Sequence, residues 1–481
     1  MVGALVVVGA LAPIGGLLAV SGAASDTVAR GRPVPLPDAP VGAPGTVVTP
    51  LLSARRVPSV LIGFDPTATL RAKLHALDAA LPAPSCYVVH AGGEVIGGLR
   101  ADQAVLPASN LKLVTASVAL ESLGPETRFS TRLVGTAPLA ATVEGDLTLV
   151  GGGDPLLTTD DYVAGLRNDA HYVATDWTRL EVLADEVALA GVKVITGAIV
   201  GDESRYDALR SVATWPASYQ ADPQAGPLSA LLLNDGFTTY RGDNHGTVTR
   251  DPAAHTAATL TALLGQRGVT VRGVARHGVA PAGATDVVTA LSSVPMTAVV
   301  AEMLEMSDND TAELLLKELG HAATGSGTTA SGVAVVATRL AALGVPTTGF
   351  VQLDGSGLDR GDRVTCALLT GLLDRAVPDG VLLKGLPVAG QSGTLSDVFV
   401  GTAVAGRLLG KTGTLTGARS LSGVLPAPPV APLVFSWIYN GPTDRDALWL
   451  GARSAFVSAL ASYPDRVDLT PYLPAPGRPA S

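Results

Sequence analysis

The rhythm of apolar and polar positions changes three times along the chain, and each change predicts a change of structure. The first stretch predicts a helix over residues 70–81 and a strand over 85–90. A hairpin turn at Ala91-Gly92-Gly93 and a returning strand over 94–99 follow. Residues 113–123 read as an apolar helix closed by Gly124 at the C′ position. The texture then becomes strand-like, with strands over 129–134 and 143–150 leading into the turn Gly151-Gly152-Gly153-Asp154-Pro155. A helix over 178–190, strands over 192–200 and 228–233, a helix over 256–268 and a strand over 269–273 continue this alternation. Helical patterning returns over 296–306, 311–319, 331–343 and 365–373. Strands over 407–416, 419–425 and 433–440 and a helix over 446–461 follow it.

This order predicts a discontinuous main domain of residues 59–134 and 291–463, with an inserted α+β domain over 135–290. The predicted class is α/β (α+β), an antiparallel sheet flanked by helices. Residues 31–58 are rich in proline, glycine and alanine and read as a linker, and 464–481 as a flexible tail. Val2 to Ala24 is apolar and uncharged and ends in small residues at Gly22, Ala23 and Ala24. It resembles the apolar region and cleavage site of a signal peptide, and it is long enough to span a bilayer if retained as an anchor. The expectation is an exported protein, secreted or membrane-associated through residues 1–58.

Composition narrows the function. With 47% hydrophobic and 16% charged residues, the 481-residue chain can build large cores. A net charge of −9 argues against nucleic acid as a partner. The histidines and cysteines show no metal-ligand spacing, so neither metal nor cofactor is expected. Export would permit a Cys86–Cys366 disulfide; two separate buried thiols are the equal alternative. There are only six lysines, which makes Lys112, just inside the apolar helix, conspicuous.

Ser109 precedes Lys112 by three residues and shares a helix face with it. A serine hydroxyl needs a base, and a lysine kept neutral by desolvation can be one. A helix start supplies free N–H groups for a developing oxyanion. Alone, this Ser-x-x-Lys also fits an N-cap serine beside a solvated lysine. Ser307-Asp308-Asn309 between two helices and Lys411-Thr412-Gly413-Thr414 on a strand change the balance. Ser-x-x-Lys, Ser-Asp-Asn and Lys-Thr-Gly in that order are the set found in β-lactamases and penicillin-binding proteins. The chemistry assigns Ser109 as nucleophile, Lys112 as its base and Ser307 as proton relay. Asn309 holds Lys112 or the substrate amide, and Lys411, Thr412 and Thr414 take a substrate carboxylate. Gly413 allows close approach of the substrate backbone, and the N–H groups of Ser109 and Thr414 form the oxyanion hole.

Over residues 60–460 the chain resembles the D-alanyl-D-alanine carboxypeptidase/endopeptidase family of low-molecular-mass class C penicillin-binding proteins. Gly145-Asp146-Leu147, Gly153-Asp154-Pro155, Gly201-Asp202-Glu203-Ser204, Asp354-Gly355-Ser356-Gly357-Leu358 and Gly393-Thr394-Leu395 carry the resemblance beyond the three motifs. It implies a penicillin-binding/β-lactamase-like transpeptidase fold, peptidoglycan stem peptides as substrate and β-lactam antibiotics as covalent inhibitors. It also implies a subsite for a zwitterionic diaminopimelate side chain, formed here by Asp154 and Arg360. Leu415, after Thr414, lacks a side-chain hydrogen bond that this subsite would use. Two alternatives compete: a serine β-lactamase, which a Glu-x-x-Leu-Asn loop would mark and which is absent between Ser307 and Lys411, and a non-catalytic wall-binding scaffold.

Overall fold

The computed structural model describes residues 65–167, 176–221, 224–240, 246–444 and 446–465. The N-terminal apolar run, the proline-rich linker and most of the predicted tail lie outside them. The organising element is a five-stranded antiparallel sheet. Its strands are β1 (Cys86–Ala91), β2 (Glu94–Leu99), β3 (Leu409–Leu415), β4 (Ala418–Leu425) and β5 (Leu433–Asn440), in the spatial order β3-β4-β5-β1-β2.

Alternation along the strands sends side chains into two different cores. On β5, Val434 and Ile438 enter one cluster and Phe435, Trp437 and Tyr439 the other; on β1, Cys86 and Val88 oppose Tyr87 and Val89 in the same way. Helix α1 (Ala68–Leu77) and the C-terminal helix, Asp446–Leu460, cover one face. The larger core on the other face is built from the buried helix α2 (Lys112–Leu123) and from α3 (Met296–Glu305), α4 (Asn309–Thr324), α5 (Thr329–Leu343) and α6 (Cys366–Ala376). The last helix, Asp446–Leu460, is α7 below. Cys86 and Cys366 form a disulfide that joins β1 to α6, which decides between the two alternatives the sequence left open.

Residues 130–292 carry sheets and a core of their own. Ser130–Gly135 pairs antiparallel with Leu147–Val150, which pairs parallel with Ile199–Asp202. Helices Leu180–Leu189 and Pro252–Gln266 pack here around Leu183, Val187, Leu260 and Leu264. Several predicted boundaries shift for local reasons. The strand expected over 143–150 is split at Gly145 (φ 85°), and that over 192–200 is split into Val194–Ile195 and Ile199–Asp202. The second helix begins earlier than predicted, because Asp251 caps it through the Ala254 N–H and Pro252 sits in its first turn. The apolar run 228–233 is no strand. It is a buried loop segment, where Ala230 accepts the Gly153 N–H and Leu231 accepts the Thr256 hydroxyl. Helix Asp160–Leu166 and the hairpin Phe237–Tyr240/Gly246–Val248 were not predicted.

Candidate active site

Ser109 lies in a 3-10 turn, Ala108–Leu111, that runs directly into α2. The N-cap of this turn is Pro107 and that of α2 is Leu111, so Ser109 is not an N-cap residue and that alternative fails. The turn is stitched to the edge of the sheet. Ser420 on β4 donates to Pro107 O at 2.7 Å, and the Asn110 amide faces Lys411 O at 2.8 Å and Ser422 Oγ at 2.7 Å. Gly413 explains how closely the two elements approach. A Cβ there would lie 2.2 Å from Ser420 Oγ and 3.0 Å from the Ser109 N, so this glycine makes room for the serine turn itself. The expected role, room for a substrate backbone, is therefore not what the geometry demands first. The same packing brings the Ser109 N–H next to the strand that carries Thr414.

Lys112 is fully buried and its ammonium nitrogen meets three oxygens: Ser109 Oγ at 3.2 Å, Asn309 Oδ1 at 2.6 Å and Ser356 O at 2.9 Å. Burial lowers its pKa to about 8, against the opposing pull of Asp308, Asp354, Glu313 and Asp310. Ser356 is held in turn by Glu313, whose carboxylate accepts the Gly355 and Ser356 N–H groups at 2.8–2.9 Å. Burial raises the Glu313 pKa to about 8.

Asp308 caps α4 by accepting the Thr311 N–H at 2.6 Å, which makes Asn309 the first helical residue and leaves Ser307 at φ 61°. A serine in this left-handed region is strained, and the cap fixes the turn around it. Lys411 is also fully buried. Its Nζ donates to Thr412 O at 3.0 Å, and burial, followed by the Lys112 charge, pushes its pKa well below the ordinary lysine value.

These elements enclose a cavity of about 380 Å³ lined by Ser109, Ser307, Asn309, Thr412, Gly413 and Thr414 from the three motifs. Five further residues line it: Gln224, Leu358, Thr394, Val398 and Arg453. Thr394 belongs to the Gly393-Thr394-Leu395 stretch and its hydroxyl lies 2.9 Å from that of Thr412. Gln224 reaches in from the inserted region and its carbonyl accepts the Asn309 amide. Arg453 comes from α7, where no motif marks it.

Asp154 and Arg360 are not among the residues that line this cavity. Asp154 is buried; its Oδ1 accepts the Leu156 N–H at 3.0 Å, Oδ2 has no partner among the described residues, and burial raises its pKa to about 6. Arg360 is exposed and donates to Thr416 O at 2.9 Å.

The model of the D-Ala-D-Ala carboxypeptidase 3 (S13) family matches residues 75–248 and 238–462. A D-alanyl-D-alanine carboxypeptidase of Actinomadura sp. is 29% identical over 86% of this chain and 90% of its own length. A carboxypeptidase of Mycobacterium tuberculosis is 31% identical over 72% of this chain and 74% of its own. In fold, the chain is similar to the crystal structure of penicillin binding protein 4 from Haemophilus influenzae. The TM-score is 0.66 at 18% identity, covering 80% of this chain and 99% of the other.

Proposed function

The chain belongs to the D-Ala-D-Ala carboxypeptidase 3 (S13) family of peptidases, and on that basis we propose that Ser109 is the nucleophile through which it hydrolyses peptidoglycan stem peptides. The observation that carries this assignment is the surroundings of Lys112. A neutral lysine has two N–H bonds and one lone pair. Asn309 Oδ1 and Ser356 O take the two hydrogens, which leaves the lone pair facing Ser109 Oγ. In this arrangement the Ser109 proton passes to Lys112 as Oγ attacks the carbonyl of the penultimate D-alanine. The N–H groups of Ser109 and Thr414 stabilise the oxyanion, and Ser307 returns a proton to the departing amine. Water then hydrolyses the acyl-enzyme.

On this reading Thr412 and Thr414 take the substrate carboxylate. Asp154 and Arg360 remain candidates for the stem-peptide side chain on charge alone. β-Lactams enter as covalent inhibitors that acylate Ser109. The β-lactamase alternative calls for a glutamate that activates water, and Glu313 is spent on two backbone N–H groups beneath the Ser356 turn. Export fits the buried Cys86–Cys366 disulfide, since such bonds persist in oxidising compartments. Association with the membrane through residues 1–58 is part of the same proposal and rests on the apolar run alone.

Incubation with defined muropeptides followed by mass spectrometry tests the assignment. Loss of one D-alanine is expected for carboxypeptidase action, and conversion of a cross-linked dimer to monomers for endopeptidase action. Penicillin should add its mass to Ser109; labelling that persists in Ser109→Ala would sink the nucleophile assignment.

A further inference from the structure

A substrate that ends in a carboxylate brings a negative charge into this cleft, and the residue expected to meet it is poorly suited to do so. Lys411 is fully buried, is absent from the cavity lining and has its Nζ on a backbone carbonyl. Arg453 does line the cavity, in company with Thr394, Thr412 and Thr414. It is the one basic residue of α7, in the run Asp446–Leu460 that is otherwise apolar or small apart from its first residue and two serines. Its guanidinium carbon lies 5.0 Å from the centroid of the Trp449 ring and 5.1 Å from that of Phe399. Two aromatic faces thus hold the fork in place without using its N–H donors. Among the described residues it joins no ion pair, and its buried Nε has no hydrogen-bond partner. A guanidinium keeps its charge even where burial disfavours it, so an anion is the ligand that this position lacks. The planar fork matches a carboxylate, and the threonine hydroxyls beside it add donors of the same kind.

We propose that Arg453 is the specificity-determining residue that binds the carboxylate of the leaving group, with Thr412 and Thr414 beside it. This rests on the peptidase reading of the cleft. It also extends that reading, because it adds a charged partner from the C-terminal helix to the threonines of the Lys-Thr-Gly strand.

The test compares a peptide ending in D-Ala-D-Ala with a free carboxylate and the same peptide as its C-terminal amide. Affinities are measured by calorimetry in a Ser109→Ala background, so that they do not depend on turnover. The cleft is expected to prefer the acid over the amide by roughly 10- to 100-fold. Arg453→Met should abolish most of that preference while leaving amide affinity within about threefold. Arg453→Lys, which keeps a charge but not the fork, should restore part of it and serves as a check that the helix still packs. An acid-to-amide ratio unchanged in Arg453→Met, or absent in the parent, overturns the proposal. Penicillin labelling of the unaltered chain is read in parallel. Its failure counts against Ser109 as nucleophile, whereas the affinity ratios still decide the role of Arg453.

Discussion

The two sides of the cleft bury a lysine each, and they treat it in opposite ways. On the helical side, Lys112 sits among three oxygens and within the field of four carboxyl groups, so burial lowers its pKa only to about 8. On the strand side, Lys411 has one backbone carbonyl and a second lysine for company, and burial pushes its pKa well below the ordinary lysine value. The difference separates two tasks. A base that works near neutral pH needs a pKa close to it, and acceptors that leave its lone pair aimed at the nucleophile. A binding site for an anion needs a charge that survives burial, and the strand side obtains that from the arginine of α7.

The largest expected effect breaks the helical side. Lys112→Ala should slow acylation by penicillin by roughly 10²- to 10⁴-fold, read by stopped-flow or intact-mass kinetics. Normal acylation in that variant would remove Lys112 as the base and leave the family assignment standing. Asn309→Ala takes away one of the two acceptors that orient the amine and should cost about 10- to 100-fold in the same assay, with the pH profile altered.

The wild-type profile sharpens the comparison. Protonated Lys112 cannot accept the Ser109 proton, so the acylation rate should rise with pH through about 8 and level off above it. A flat profile from pH 6 to 9 would mean that another group sets the rate. For the strand side, Lys411→Met removes a buried amine with a single hydrogen bond. It should raise the melting temperature, by the equivalent of about 1 kcal/mol, even as activity falls. The smallest effect is expected from Arg360→Ala, less than about tenfold in kcat/KM, because this arginine is exposed and already engaged with Thr416. A loss confined to substrates with a zwitterionic side chain would instead support Arg360 as part of the side-chain subsite.

The helical side was the more legible in the sequence, since Ser109 and Lys112 are neighbours on one turn and need no long-range fold to meet. Ser307-Asp308-Asn309 was also readable, because its aspartate caps the helix that follows and so fixes the local shape. The strand side was legible only as far as Lys411-Thr412-Gly413. Arg453 is one charge in an apolar helix and Gln224 one amide in a loop; their place in the cleft follows from packing between distant elements, which has no local signature. The same reason explains the strand misread over 228–233. An apolar run buried in a loop has the composition of a strand, and only the missing partner strand tells them apart. Helix Asp160–Leu166 did carry a signal, a Thr159 cap and two acidic residues in the first turn, but it is too short for periodicity to show.

The strand order has a consequence for how the molecule comes into being. Cys86 at the start of β1 pairs with Ile438 in β5, and the disulfide from that same cysteine spans 280 residues. The central sheet therefore cannot close until the chain has been made as far as Asn440, whereas the inserted region has a core that can collapse earlier. The nucleophile lies on an element that this late closure presses against β3. A nascent chain would carry Ser109 exposed and unactivated through most of synthesis, and reactivity would arrive only with the last strand.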